Sequence, residues 1–372
     1  MTKKYICPYC YTKYNPIELG FSCKNNNCKK DFEYKNLKFL DQFYLGYIGL
    51  RSISKCPYCD ESDIRYMCPN KDCMVKIPAS LIRKNSPIIS IIGATNTGKT
   101  VYNLSLIKAI IKTGVSFEPK TDINKTVYGE MIKKFSKGIL PGKSKAIDDE
   151  NSSMVGTPLI YDFNHKKSVL LSFYDSAGED LKEINTVKEY YKYIYASSAI
   201  ILVMDVFTTD EYRENSLVVF YNFLQAIKEI KNIRENEKIK VPIVILFSKY
   251  DEVLNKKDKE NVNKFKDNCK WDKLNTVETI ECIDSLSKTL SNRLMNMESF
   301  PEAESFINTC DRNFTNYRLI PVASIALNDE ITILEDEITI DEKKKFNFNI
   351  KTTESVNVEL PFIYLLHQLN AI

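Results

Sequence analysis

Residues 88–100 constrain the fold more than any other stretch of this chain. Ile88-Ile-Ser-Ile-Ile92 is a run of β-branched residues suited to a strand covered on both faces. It passes without a break into Gly93-Ala-Thr-Asn-Thr-Gly98-Lys99-Thr100, after which a helix is expected from Thr100 to about Lys112. A strand buried on both faces needs helices on either side of its sheet, which predicts an α/β domain with a mostly parallel sheet. The 372 residues, 44% of them apolar, leave room for one such domain and a smaller one. With only 11 Gly and 13 Pro, collagen-like and low-complexity classes are excluded. No apolar run approaches the ~20 residues that span a bilayer, and Met1-Thr-Lys-Lys-Tyr5 has no secretory segment. A cytoplasmic protein with no membrane contact is the expectation.

The spacing GxxxxGK[ST] between a strand and a helix is the phosphate-wrapping Walker A pattern in the context it requires. Backbone N–H groups at the helix start would cradle the β-phosphate. Lys99 would reach the β- and γ-phosphates and act in the reaction, and Thr100 would ligate Mg²⁺. Gly93, Asn96, Thr97, Gly98, Lys99, Thr100 and Val101 are the predicted nucleotide contacts here.

Three later segments occur in a telling order, each ending an apolar strand. Val169 to Asp175 leads into Asp175-Ser-Ala-Gly178, Val241 to Phe247 into Ser248-Lys249-Tyr250-Asp251, and Leu319 to Val322 into Ala323-Ser324. These resemble the DxxG, [NT]KxD and last base-contacting loops of Ras-like GTPases, with Ser248 in place of Asn or Thr. The resemblance covers about residues 86–372 and implies a Ras-like P-loop G domain binding GTP or GDP with Mg²⁺. It implies that Asp175 holds Mg²⁺ through water and that the Gly178 N–H meets the γ-phosphate. Asp251 would accept from the N1–H and N2–H₂ edge of guanine, a pair of donors adenine lacks. Lys249 would lie over the base, and the loop at Ala323 and Ser324 would meet its O6. A P-loop ATPase carrying these tetrapeptides by chance is the alternative.

In switch I, Thr157, just before the strand Leu159 to Phe163, is the expected Mg²⁺ ligand and γ-phosphate sensor, with Thr121, Thr126 and Ser144 as alternatives. Glu179 stands where many Ras-like proteins place a water-orienting Gln, and adds negative charge beside the γ-phosphate. No Arg occurs between Thr100 and Arg213, so neither switch supplies an arginine finger. Slow turnover is expected unless a partner, a second copy or a cation completes the site. Asn96, two residues before Gly98, gives the GxxNxGK arrangement shared by potassium-using GTPases; a residue that merely tolerates the loop geometry is the other reading.

Eight of the 11 cysteines precede residue 74, in four pairs. Cys7-x2-Cys10 with Cys23-x4-Cys28 is followed 49 residues later by Cys56-x2-Cys59 with Cys68-x4-Cys73, and both copies begin Cys-Pro-Tyr-Cys. Paired thiols in a chain without an export signal indicate metal rather than disulfides. The pattern resembles a double zinc ribbon, with one Zn²⁺ expected in each copy: Cys7, Cys10, Cys23 and Cys28 in the first, Cys56, Cys59, Cys68 and Cys73 in the second. Units so short cannot bury a core, so the metal must hold them folded.

The expected organisation is a first ribbon over 1–35, a linker helix over 36–52 packing through Leu37, Leu40, Phe43, Tyr44 and Tyr47, a second ribbon over 53–85, and the G domain over 86–372. Residues 1–85 carry 15 Lys/Arg against 8 Asp/Glu, interspersed with Tyr and Phe, which suits either protein docking or single-stranded nucleic acid. Helices are expected over Phe207 to Ile233, over the long charged insertion Asn255 to Met297 that carries Trp271, and over Pro361 to Leu369. A hairpin is expected through Ile331 to Ile350. Cys269, Cys282 and Cys310 read as core thiols, and His165 and His367 are isolated.

The arrangement resembles the double-GTPase type of G proteins encoded beside bacterial and phage-conflict genes. It implies a GTP-gated, hydrolysing switch whose Mg²⁺·GTP state is read by an effector or activating protein, with a homodimer possible in principle. The rival readings are a nucleic-acid- or ribosome-associated GTPase gripping RNA or single-stranded DNA through its ribbons, and a non-hydrolysing GTP-binding scaffold.

Overall fold

The fold was examined in a computed structural model, which describes residues 5–23, 25–43, 55–61, 64–77, 87–112, 116–119, 129–136, 159–164, 168–175, 192–253, 277–326 and 354–372.

The cysteine-rich end contains the hairpin β1 (Tyr5–Ile6) and β2 (Lys13–Tyr14), then β3 (Gly20–Cys23), β4 (Asp31–Glu33), the short helix α1 (Phe39–Phe43), β5 (Ile64–Met67) and β6 (Lys76–Ile77). Strands from both cysteine repeats join one antiparallel sheet in the order β4-β3-β5-β6. Residues 1–35 and 53–85 are therefore not two separate ribbons. Phe21, Phe32, Leu37, Tyr66 and Ile77 share a single small core with the cysteines. The expected linker helix begins at Phe39 rather than at residue 36, and its Leu40 and Phe43 are 64% and 44% exposed. Of the three predicted packing residues that are described, Leu37 alone is buried: it lies before the helix and drops into the ribbon core. Tyr44 and Tyr47 lie outside the described residues.

The larger part begins with β7 (Ile88–Gly93) and α2 (Lys99–Lys112), followed by β8 (Ser116–Pro119), α3 (Gly129–Ser136), β9 (Leu159–Asn164), β10 (Ser168–Asp175), α4 (Lys192–Ala196), β11 (Ala199–Met204) and α5 (Asp210–Ile230). β12 (Ile243–Phe247), α6 (Val277–Met295), α7 (Ala303–Asn313), β13 (Tyr317–Pro321), β14 (Ala323–Ala326), β15 (Glu354–Val356) and α8 (Leu360–Gln368) complete it. The seven-stranded sheet has the order β13-β12-β11-β7-β10-β9-β8. From β13 to β10 the neighbours are parallel, whereas β9 and β8 pair antiparallel. This is the mixed, mostly parallel α/β sheet that the apolar strands predict.

Every residue of β7, β11 and β12 is buried, as parallel strands covered on both faces require. Alternation sorts their side chains. Ile200, Leu202 and Met204 join Phe220, Phe223 and Phe306 on one face, while Ala199, Ile201 and Val203 join Ile107, Ile110 and Phe362 on the other. Several expected bounds move. The Phe207–Ile233 helix starts at Asp210, because the Thr209 side chain accepts from the Tyr212 N–H and caps it. The last helix runs Leu360–Gln368, and the segment ending at Ser324 is two strands, β13 and β14, the second pairing with β15. The hairpin through 331–350, Trp271, Cys269 and His165 lie outside the described residues. Cys310 is a core thiol, as expected, whereas Cys282 is only half-buried.

The cysteine module touches the α/β part. Tyr11, directly after Cys10, packs against the core on the α5 side. Lys13 Nζ donates to Tyr195 Oη at 2.8 Å and stands 4.0 Å from that ring's centre. No helix among the described residues is long and apolar enough to cross a membrane.

Candidate functional site: loops at one sheet edge and two cysteine clusters

The parallel strands end together. Gly93 is level with Val203, Met204 with Phe247, and Phe247 with Pro321. The Gly93–Thr100 loop, the Ser248–Asp251 turn and the Ala323–Ser324 segment thus emerge at one edge of the sheet, the carboxyl end where doubly wound α/β sheets bind ligands.

Backbone geometry explains the residues of the first loop. A Cβ on Gly93 would meet the Val203 carbonyl oxygen at 2.4 Å, so no side chain fits there. Gly98 has open space around it but a φ of +83°, where an L side chain is strained. Asn96 also takes the left-handed region, with φ +63°, a conformation Asn tolerates better than most residues. The buried Thr97 hydroxyl donates to the Ala94 carbonyl at 2.8 Å and fastens the loop to itself. Lys99 Nζ is buried beneath it and donates to the carbonyls of Gly93 (2.9 Å) and Ala94 (2.8 Å). The first helical bond here runs from Tyr102 N–H to Gly98 O, at 2.8 Å. The amides of Lys99, Thr100 and Val101 therefore precede the helical ladder, as in helix N-termini that receive anions. A folded-back ammonium and a ring of amides around a tight loop form a receptor suited to a phosphate group.

The Ser248–Asp251 turn is tied to the neighbouring strand. Ser248 N–H and Oγ both donate to Met204 O, at 2.9 and 3.1 Å. Serine thus supplies a hydroxyl anchor where Asn or Thr was the pattern residue. Lys249 has φ +55° and its Nζ lies 2.7 Å from the fully buried Asp205 carboxylate. It also stands 4.7 Å from the centre of the Tyr212 ring. Tyr250 N–H donates to Val322 O at 3.2 Å, and Ser105 Oγ of α2 donates to Ser324 O at 2.8 Å, tying the three loops together. Asp251 lies in a half-buried turn. Asp205 and Tyr212 were not singled out from the sequence. Their signal is faint: an Asp closing an apolar strand reads as an ordinary turn former. Asp175 ends β10, level with Ile91 of β7. Thr157, Gly178, Glu179 and the alternatives Thr121, Thr126 and Ser144 lie outside the described residues.

The thiol clusters require a correction. The sulfurs that converge are Cys7, Cys10, Cys68 and Cys73 in one set, and Cys23, Cys28, Cys56 and Cys59 in the other. Each set lies within 4.8 Å and takes one pair from each repeat, not both from one. Strand pairing is the reason. β3 and β5 run antiparallel with Cys23 opposite Ile64 and Gly20 opposite Met67. Cys23 therefore sits at the end where the second repeat starts, and Cys68, after Met67, at the end held by the first repeat.

The two repeats are folded alike. Tyr11 N–H to Cys7 O and Asp60 N–H to Cys56 O close equivalent turns, with φ +59° at Tyr11 and +57° at Asp60. Lys29 and Met74, each at φ +43°, close the matching Cys-x4-Cys turns onto Asn25 and Asn70.

Sulfur separations of 3.5 Å (Cys10–Cys68), 3.5 Å (Cys23–Cys59) and 4.0 Å (Cys28–Cys56) bracket the ~3.8 Å edge of a tetrahedron with ~2.3 Å metal–sulfur bonds. The Cys10–Cys68 contact holds Cys10 well below the ordinary thiol range and pushes Cys68 up to about 12. Four such crowded thiols cannot all ionise without a cation among them. The donor set, count and spacing fit zinc.

No family model matches the chain, and no curated protein matches it. Among solved structures, one titled as sup35 complexed with GDP aligns at a TM-score of 0.27 with 12% identity, covering 65% of this chain and 38% of that one. The chain thus spans well under half of that structure's length, and at that score the likeness decides neither fold nor function.

Proposed function

We propose that the larger part of this chain is a Ras-like P-loop G domain that binds GTP and GDP with Mg²⁺, and that the cysteine module holds two Zn²⁺. The observation that carries the reading is the coincidence at one sheet edge of the Gly93–Thr100 loop and the Ser248–Asp251 turn, on strands β7 and β12 with β11 between them. The parallel run from β10 to β13, with these loops at its carboxyl edge, supports the reading. Bound Mg²⁺ would neutralise phosphate charge, with Thr100 and Asp175 as its proposed ligands and Thr157 as the switch I candidate.

The function proposed is a switch: GTP orders the segments around Thr157 and Asp175 to Glu179, a partner reads that surface, and hydrolysis resets it. Slow hydrolysis fits Glu179 and the lack of Arg between Thr100 and Arg213. The setting in bacterial conflict, the effector, potassium at Asn96 and a homodimer rest on the sequence resemblance alone. Docking of the module through Tyr11 and Lys13 gives the ribbons a structural role beside the G domain, and favours protein contact over nucleic acid as their use.

Base choice is the direct test. Asp251→Asn replaces an acceptor facing guanine N2–H₂ with an amide that can donate to the O2 of xanthine. The variant should lose GDP and gain xanthosine diphosphate. A variant that keeps GDP at wild-type affinity would remove Asp251 from the site.

A further inference from the structure

We infer that Asp205 is a positioning residue for the nucleobase: it holds the Lys249 ammonium so that the lysine's methylene stem stands as a platform for a purine whose edge meets Asp251. The inference rests on the guanine-nucleotide reading above.

Asp205 follows β11 and has no solvent exposure, a costly place for a carboxylate unless every lone pair is used. They are used. Oδ1 accepts from Phe207 N–H (3.3 Å), Thr208 N–H (3.2 Å) and Thr208 Oγ1 (3.0 Å), and Oδ2 meets Lys249 Nζ at 2.7 Å. Its backbone is fixed as well: Asp205 N–H donates to Ser216 Oγ at 3.0 Å, and that hydroxyl donates back to Asp205 O at 3.2 Å. The carboxylate is thus a rigid post rather than a swinging counter-ion.

Lys249 complements it. Its φ of +55° and the two Ser248 bonds to Met204 O fix where the side chain begins, and Asp205 with the Tyr212 ring fixes where it ends. A lysine pinned at both ends presents its four methylenes as a surface instead of sampling rotamers, which lowers the ordering cost of stacking a base on it. The ammonium is committed to Asp205, so the stem and not a donated hydrogen bond is what the base meets. Such a platform serves any purine, and the choice among purines is left to Asp251.

The test is the release rate of a fluorescent GDP from the full-length, zinc-loaded protein. Asp205→Asn keeps the Oδ1 acceptor but removes the charge, and should speed release about tenfold, the factor that corresponds to 1.4 kcal/mol. Lys249→Met should do the same, and the double variant should be no faster than either single one, since both break one device. In an Asp251→Asn background, Asp205→Asn should weaken xanthosine diphosphate by the same factor, leaving base preference unmoved. Should Asp205→Asn not fold, the pair Asp205→Asn/Lys249→Gln restores a neutral hydrogen-bonded contact and must release GDP as fast as Lys249→Gln alone. Release from Asp205→Asn at the wild-type rate, or effects that multiply in the double variant, would overturn the inference while the nucleotide reading stands. Wild-type protein that holds no GDP would overturn both.

Discussion

Cys10 and Cys68 stand 58 positions apart in the chain, yet their sulfurs lie 3.5 Å from each other. This one contact decides how the cysteine module is built. The two repeats do not fold as beads; each supplies half of both cysteine clusters, and the β3–β5 ladder between them sets the exchange.

Paired serine substitutions separate the two wirings. Cys10→Ser with Cys73→Ser damages one site only, and the protein should retain one of its two zincs. Cys10→Ser with Cys28→Ser strikes both sites and should leave none. Metal content by elemental analysis reads the difference, and pairing within each repeat would give the reverse pattern.

The two loop glycines should fail for different reasons. Gly93→Ala drives a methyl group into the Val203 carbonyl at 2.4 Å, a backbone atom of a central strand. It should cost about 3 kcal/mol or more, the range of severe core overpacking. Gly98→Ala meets no atom and pays only for a left-handed φ of +83°, about 1–2 kcal/mol. Urea unfolding of the two variants should therefore rank Gly93→Ala clearly below Gly98→Ala.

Docking of the cysteine module has separable parts. Lys13→Ala removes an exposed hydrogen bond and cation–π contact to Tyr195, worth about 0.5–1 kcal/mol. Tyr11→Ala removes a half-buried ring from the core on the α5 side and should cost more, about 2 kcal/mol. Thermal unfolding should place both variants below wild type in that order.

Capping of α5 is a local test of the base-side wall. Thr209 accepts from the Tyr212 N–H at 3.3 Å, so Thr209→Ala should cost about 1 kcal/mol. Because Tyr212 lies beneath Lys249, the same change should also quicken GDP release slightly, which a stopped-flow comparison with wild type would show.

Much of this is legible in the sequence. The Ile88–Ile92 run and the loop after it could belong only to a strand turning into a helix, and the apolar strands ending at Phe247 and near Pro321 placed their loops at the same edge. Those signals are local: periodicity, β-branching and glycine spacing within a dozen residues. The thiol wiring was not local. Two copies of one motif satisfy a tetrahedron equally well either way, and only the antiparallel register of Gly20 with Met67 breaks the tie. Asp205 escaped notice for a related reason, since its meaning comes from Lys249, 44 positions later, folded onto the end of the adjacent strand. The exposed Leu40 and Phe43 of α1 show the limit of helical spacing, which marks a face without saying what covers it.

The central claim is that the loop of Gly93 to Thr100 holds the phosphates of a guanine nucleotide. Isothermal titration of the full-length protein with GDP, GTP and ATP in Mg²⁺, repeated on Lys99→Ala, tests it most directly. The account predicts binding of both guanine nucleotides, none of ATP at the same concentration, and a loss of at least about a hundredfold in the variant, about 2.8 kcal/mol. Equal or tighter binding of ATP, or GTP bound undiminished once Lys99 is alanine, would contradict it.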